Sequence, residues 1–264
     1  MLILSTKSEN SSSRAEFEII PESSYSMLEK PMEAGVSSLG FSNYRKIRCG
    51  EWRHMIAVID YSMGNLKSVS KALIRVGGKV VITSSPRVAE EANGIILPGV
   101  GAFAQGIRNL EKRGFLDLLS HWGRTNKPLL GICLGMHLLF TEGEEGGVHR
   151  GLDLIKGRVK RFQNTVKVPH MGWNQVILHR GTFDDAFLQD IADRSYFYFA
   201  HSYYGEPIDT RVVLGRTEYG IHFASMVRQG NIVGVQFHPE KSDEIGLSLL
   251  GNFVRMTDKS LERN

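Results

Sequence analysis

Cysteine is scarce, with only Cys49 and Cys133 in 264 residues. Two thiols so far apart form neither a Cys-x-x-Cys redox pair nor a zinc cluster. With nothing else pointing to secretion, free thiols in a reducing cytoplasm are the simplest reading. No apolar run approaches the length of a membrane span. Met1-Leu2-Ile3-Leu4 is too short for a signal-peptide core. A dense basic block is also missing. Arg45-Lys46-Ile47-Arg48 is the nearest, acidic residues are common nearby, and the net charge is only +4. That describes a solvated surface and not a nucleic-acid site. Internal repeats are absent. What remains is a globular chain with 42% apolar residues, enough for a sizeable core.

Residues 1–54 are Ser- and Glu-rich, with Ser11-Ser12-Ser13 and Ser23-Ser24, and show no sustained period. They are expected to be a poorly ordered extension. Their acidic residues argue against a transit peptide. Met55 immediately precedes the first strand, so translation starting there is a further expectation. The folded domain is expected over 55–258, with 259–264 as a tail.

From Ile56 the chain alternates strand and helix. Strands are expected at Ile56–Asp60, Val80–Ile82, Gly94–Leu97 and Leu129–Ile132. A helix over Leu66–Val76 ends at Gly77-Gly78. An amphipathic helix over Phe103–Trp122 has a possible break at Gly114. Such units predict a parallel sheet covered by helices on both faces. The second half is richer in strands: Arg158–Phe162, Gln175–Leu178, Tyr196–His201, Arg211–Gly215, Ile221–Arg228 and Ile232–Gln236. Gly230-Asn231 reads as a hairpin turn, and a helix over Glu244–Met256 closes the chain. The predicted fold is a single α/β domain with a mixed, mostly parallel central sheet.

Gly131-Ile132-Cys133-Leu134-Gly135 is the most informative segment. It follows an apolar strand and leads into the helix-like run Met136–Phe140. That is the context of a nucleophile elbow with Cys in place of Ser. Glycines flank the nucleophile because a Cβ on either side of so tight a turn would clash. A thiol at a helix N-terminus has its pKa lowered. A buried structural cysteine would read the same way, so a base is needed. His238 is the best of nine histidines. It follows the strand Ile232–Val235, and strand C-termini are where α/β sheets place their sites. In His238-Pro239-Glu240, the carboxylate could hold the imidazole in its useful tautomer. An oxyanion hole could draw on the N–H of Leu134 and on Pro98-Gly99-Val100-Gly101. The last segment loosely fits a dinucleotide fingerprint, but it does not follow the first strand and lacks the acidic strand end.

Gly-Ile-Cys-Leu-Gly together with His-Pro-Glu resembles the class I glutamine amidotransferases, whose triad is Cys-His-Glu and whose domain is flavodoxin-like. Further segments are similar to one branch, the glutaminase subunits of imidazole glycerol phosphate synthases. They are Val58–Tyr61 with Met63–Leu66, Leu97–Phe103, Val168–Asn174, His201–Tyr204 and Gly234–Ser242. The resemblance runs from about Met55 to Phe253. Two positions depart from it: Ser62 replaces a usual glycine and His137 a usual glutamine. Serine tolerates the backbone there at a small cost if φ is positive. Histidine keeps a hydrogen bond for the substrate.

The resemblance implies that Cys133 attacks the side-chain amide of L-glutamine, with His238 as acid and base and Glu240 orienting it. Val100, Gly101 and Leu134 would serve the oxyanion. Gly101, His137, Ser202 and Tyr203 would contact glutamine. No cofactor or metal is implied. Ammonia would pass to a second polypeptide, a (β/α)8-barrel cyclase, in a heterodimer facing Pro169, His170, Met171, Gly172, Trp173, Asn174 and Lys241. The oxyanion strand near Val100 would align only after that partner binds acceptor. Three other readings compete: a paralogue serving a sugar amidotransferase in surface-polysaccharide synthesis, a catalytically dead interaction module, and a cysteine peptidase of related fold.

Overall fold

The computed structural model describes residues 55–163, 165–179 and 185–259. The expected extension over 1–54, Cys49 and all but the first residue of the tail lie outside them.

The first half is an α/β weave. Strand β1 (Met55–Ile59) is buried at every position, as a strand covered on both faces must be. Helix α1 (Leu66–Arg75) begins where the Asn65 side chain accepts from Ser68 N at 3.3 Å. Then come β2 (Lys79–Thr83), α2 (Pro86–Glu91), β3 (Gly94–Gly99), α3 (Phe103–Lys112), α4 (Phe115–Trp122), β4 (Leu129–Cys133) and α5 (Leu134–Leu138). Gly114 divides α3 from α4 at φ 72°, the break expected there.

The second half adds β5 (Phe140–Gly143), β6 (His149–Arg150), β7 (Ile155–Arg161), β8 (His170–Leu178), β9 (Ser195–His201), β10 (Tyr203–Pro207), β11 (Val213–Glu218), β12 (His222–Gln229), β13 (Ile232–Val235) and α6 (Asp243–Lys259). The sheet runs β2-β1-β3-β4-β13-β12-β10-β7-β5-β6, with β11 on β12 carrying β8 and β9. It is mixed, as expected. The run β2-β1-β3-β4-β13 is parallel, and the strands beyond pair mainly antiparallel. Alternate residues of β1 enter two cores. Ala57 and Ile59 pack with α3, α4 and α5, while Ile56 and Val58 pack with α1 and α6.

Several boundaries differ from expectation. The helix after the elbow covers Leu134–Leu138, not Met136–Phe140, because Phe140 already pairs with Ile155 in β5. A continuous buried run carries no period to mark the switch. The short α2, β5, β6 and β10 were not anticipated. Strand β8 starts five residues early, at His170, and Arg211 lies in a 3-10 turn before β11. The Gly230-Asn231 hairpin forms as expected, with Gln229 opposite Ile232. Among the described residues no helix is long and apolar enough to cross a membrane.

Candidate active site

Three parallel strands end together. Gly99, last in β3, lies opposite Cys133, last in β4. On the other side of β4, Val235 of β13 lies opposite Ile132, so the chain delivers Gln236, Phe237 and His238 beside the cysteine. Cys133 is held at φ 53°, ψ −110°, a strained conformation for a non-glycine residue. Its neighbours show why the elbow needs glycine. A Cβ on Gly131 would lie 2.7 Å from Gly135 O, and one on Gly135 would lie 1.7 Å from Leu97 O. With five residues, α5 has only a small macrodipole. The charge beside the thiol therefore comes mainly from His238.

His238 is buried, and its Nδ1 is 2.9 Å from Glu240 Oε1. Its pKa is pushed up to about 10. Burial opposes the imidazolium, but hydrogen bonds and charge from Cys133 and Glu240 override it. Pro239 starts a 3-10 turn that brings Glu240 back under the ring. The turn is tied down by Ser242, whose Oγ donates to His238 O at 2.7 Å and accepts from Tyr198 N at 3.0 Å. Thiol, imidazole and carboxylate thus form one buried chain, an arrangement able to hold a thiolate–imidazolium pair.

The glycine loop after β3 sits across from the thiol. Gly101 has φ 105°, and Val100 is exposed. Beneath it, Tyr61 is fully buried and donates its hydroxyl to Pro98 O at 2.7 Å. A Cβ at Gly99 would strike that hydroxyl at 2.4 Å. Leu134 is the first residue of α5, where a helix leaves its N–H groups without intrahelical partners.

Two polar residues behind the thiol were not singled out as a pair. Gln236 donates from Nε2 toward Cys133 Sγ at 3.9 Å, and its Oε1 is 2.6 Å from His137 Nε2. His137 is buried and its pKa falls to about 4, because desolvation outweighs its bonds to Gln236 and the Tyr203 carbonyl. His137, expected to contact glutamine, thus has its Nε2 engaged by Gln236. A polar residue between Val235 and Phe237, in a strand extension buried on both faces, was the available signal.

Ser202 and Tyr203 form the corner between β9 and β10 and are half-buried. The preceding Ala200 brings its carbonyl within 4.0 Å of Cys133 Sγ. The expected partner-facing run divides by strand period. Pro169, Met171 and Trp173 are exposed and Gly172 is half-buried, but His170 is buried and turned inward, with Asn174 bonded to it. The expectation that His170 faces outward is therefore corrected, since successive strand residues point to opposite faces. Trp173 meets Tyr198 edge-on at 6.2 Å, and Lys241, exposed, lies over the same Tyr198 ring at 5.8 Å. Ser62 stands at φ 65°, the left-handed backbone suspected there, held by Asp60 Oδ1 and Arg113.

These features have counterparts in known proteins. The family described as glutamine amidotransferase class-I matches residues 57–256, and this chain belongs to it. Solved structures share the fold at low sequence identity. A glutamine amidotransferase crystal structure aligns with TM-score 0.61 and 19% identity, covering 76% of this chain and 98% of its own. PurLQS from Thermotoga maritima aligns with TM-score 0.60 and 17% identity, over 80% and 99%. Within the family, the chain falls among the imidazole glycerol phosphate synthase HisH subunits. It is 52% identical over 198 residues to that subunit of Moorella thermoacetica, covering 75% of this chain and 93% of the relative. It is 48% identical over 207 residues to that of Archaeoglobus fulgidus, covering 78% and 100%.

Proposed function

We propose that this chain is the glutaminase subunit of an imidazole glycerol phosphate synthase and that Cys133, His238 and Glu240 carry its chemistry. The Cys133 thiolate attacks the side-chain amide carbon of glutamine, forming an Sγ–C bond and an oxyanion. Backbone N–H groups of Leu134 and of the Val100–Gly101 loop stabilise that charge. His238 then gives its proton to the departing nitrogen, and the C–N bond breaks to leave a glutamyl thioester and ammonia. The neutral imidazole next takes a proton from water, whose oxygen attacks the thioester. Glutamate leaves and the thiol is restored. Glu240 keeps the imidazole turned toward the sulfur, and Gly101, Ser202 and Tyr203 contact glutamine.

Ammonia must reach its acceptor before water protonates it, so a second polypeptide has to seat over the site. The exposed side chains Met171, Trp173 and Lys241 are the proposed seat for a (β/α)8 cyclase. An aromatic anchor ringed by polar groups suits such an interface. The cyclase would use the ammonia to make imidazole glycerol phosphate and aminoimidazole carboxamide ribotide in histidine biosynthesis.

The observation that carries this reading is the shared ending of β3, β4 and β13, which gathers the glycine loop, the thiol and the His238–Glu240 pair. The test is glutamine hydrolysis by the chain with its cyclase and acceptor, together with rescue of a histidine auxotroph lacking this subunit. Activity and rescue are expected. Hydrolysis without rescue would point to a different client synthase.

A further inference from the structure

Strand β8 has an inner face that the proposed chemistry does not use. His170 and His201 are cross-strand partners in the β8–β9 ribbon, both buried, with His170 Nδ1 2.9 Å from His201 Nε2. Their protons can be placed from a fixed end. Tyr203 O is a carbonyl and only accepts, so His201 Nδ1, 2.7 Å away, carries a proton. Burial keeps His201 neutral, which leaves its Nε2 bare. His170 Nδ1 must then donate to it, and His170 Nε2 is left to accept from Asn174 Nδ2 at 3.2 Å. The other end is fixed as well. Asn174 Oδ1 accepts from Gln175 N at 2.8 Å, and Nδ2 also donates to Glu218 O at 3.0 Å. Every bond therefore runs in one direction, from Asn174 through His170 and His201 to Tyr203. His170 has no freedom to rotate away, because Tyr219 stacks on it at 4.0 Å and Phe199 at 4.8 Å.

We infer that Asn174, His170 and His201 are positioning residues, a directional hydrogen-bond relay that fixes the Ser202–Tyr203 corner of the glutamine site to the strand bearing Met171 and Trp173. The ribbon links the two directly. Met171 is exposed on one strand, and its cross-strand partner Ala200 places its carbonyl 4.0 Å from Cys133 Sγ. One β-ribbon thus separates the apolar outer face from the nucleophile, and its inward side chains are bonded to the corner that would receive glutamine. This rests on the proposed glutaminase reading for its activity readout only.

A contiguous set of bonds is not by itself coupling, so two measurements are needed. The first uses the full chain alone, labelled with 15N-histidine and assigned with His170→Asn and His201→Asn. Both rings are expected as neutral Nδ1–H tautomers at pH 7, the opposite of the form that dominates in water. Finding either ring in the Nε2–H form would overturn the relay, whatever the protein's function. The second compares His170→Phe, which keeps the stacking and removes both nitrogens, with His170→Asn, whose Nδ2 can stand in for Nδ1. With cyclase and acceptor present, the Phe variant is expected to lose about tenfold in kcat/KM for glutamine, mainly through KM. Its affinity for the cyclase should change less than threefold, and the Asn variant should recover most of the loss. Equal activity in all three proteins, or equal loss in both variants, would overturn the positioning role. A wild-type complex that hydrolyses no glutamine would instead overturn the glutaminase reading, leaving the relay to be decided by the tautomers.

Discussion

The strand ends of β3, β4 and β13 and the β8–β9 ribbon both border Cys133, and they are built on opposite principles. At the strand ends, position is enforced by backbone and sterics: a cysteine at φ 53°, glycines with no room for a Cβ, and a proline-started turn under His238. In the ribbon, position is enforced by side chains, through a hydrogen-bonded histidine pair clamped between aromatic rings. The first holds a nucleophile in one strained geometry. The second presents one face outward and the other inward, so a load on the outer face meets a bonded network on the inner one.

Substitutions at the strand ends should have the larger effects. Cys133→Ala removes the nucleophile and should reduce cyclase-stimulated glutaminase activity by at least about a thousandfold, read as glutamate release at equal protein concentration. Cyclase binding should survive, and if activity survived as well, the strand ends would not be the reacting centre. Glu240→Gln should lower activity by about a hundredfold or more and shift its pH dependence. The sign follows from His238, whose pKa is raised to about 10 partly by Glu240. Stabilisation from that charged imidazole is complete below the ordinary histidine pKa and is lost as pH rises through about 10. Removing the carboxylate moves the alkaline edge to lower pH. The pH profile of cyclase-stimulated glutamate release reads this directly, because the imidazolium is the acid for the departing nitrogen, and an unmoved edge would break the assignment.

The ribbon's outer face should respond differently. Trp173→Ala is expected to weaken cyclase binding by about thirtyfold, measured by titration calorimetry, with the free chain's unfolding temperature unchanged. A loss of stability without loss of affinity would make Trp173 a packing residue and erase the distinction between the two faces. The smallest effect is expected at Ser62. Ser62→Gly relieves the positive φ but loses the Arg113 contact, so the unfolding midpoint should move by less than about 4 °C.

The two regions also differ in how far they could be read from sequence. The elbow and the His-Pro-Glu turn are each local: the residues that build either one lie within a few positions, and glycine and proline mark the backbone that places them. Even the strain at Ser62 could be anticipated, from the glycine that the resembling family usually carries there. The ribbon was less legible. Pro169–Asn174 reads as one surface segment until the strand's two-residue period separates Met171 and Trp173 from His170 and Asn174. Pairing His170 with His201, 31 residues away, depends on a register that no local pattern encodes. Gln236 and Tyr61 were hidden for another reason. Each sits in or beside an apolar strand, and its polar function shows only once its partners, His137 and Pro98 O, are in place. Helix α5 was misjudged in extent because Met136–Phe140 is buried throughout.

The most direct test of the central claim is to acid-quench the chain during turnover with glutamine, cyclase and acceptor, and to map its peptides by mass spectrometry. A glutamyl adduct on the Cys133 peptide, absent when glutamine is withheld, is the predicted result. Steady glutamate release with the adduct on another residue would contradict it.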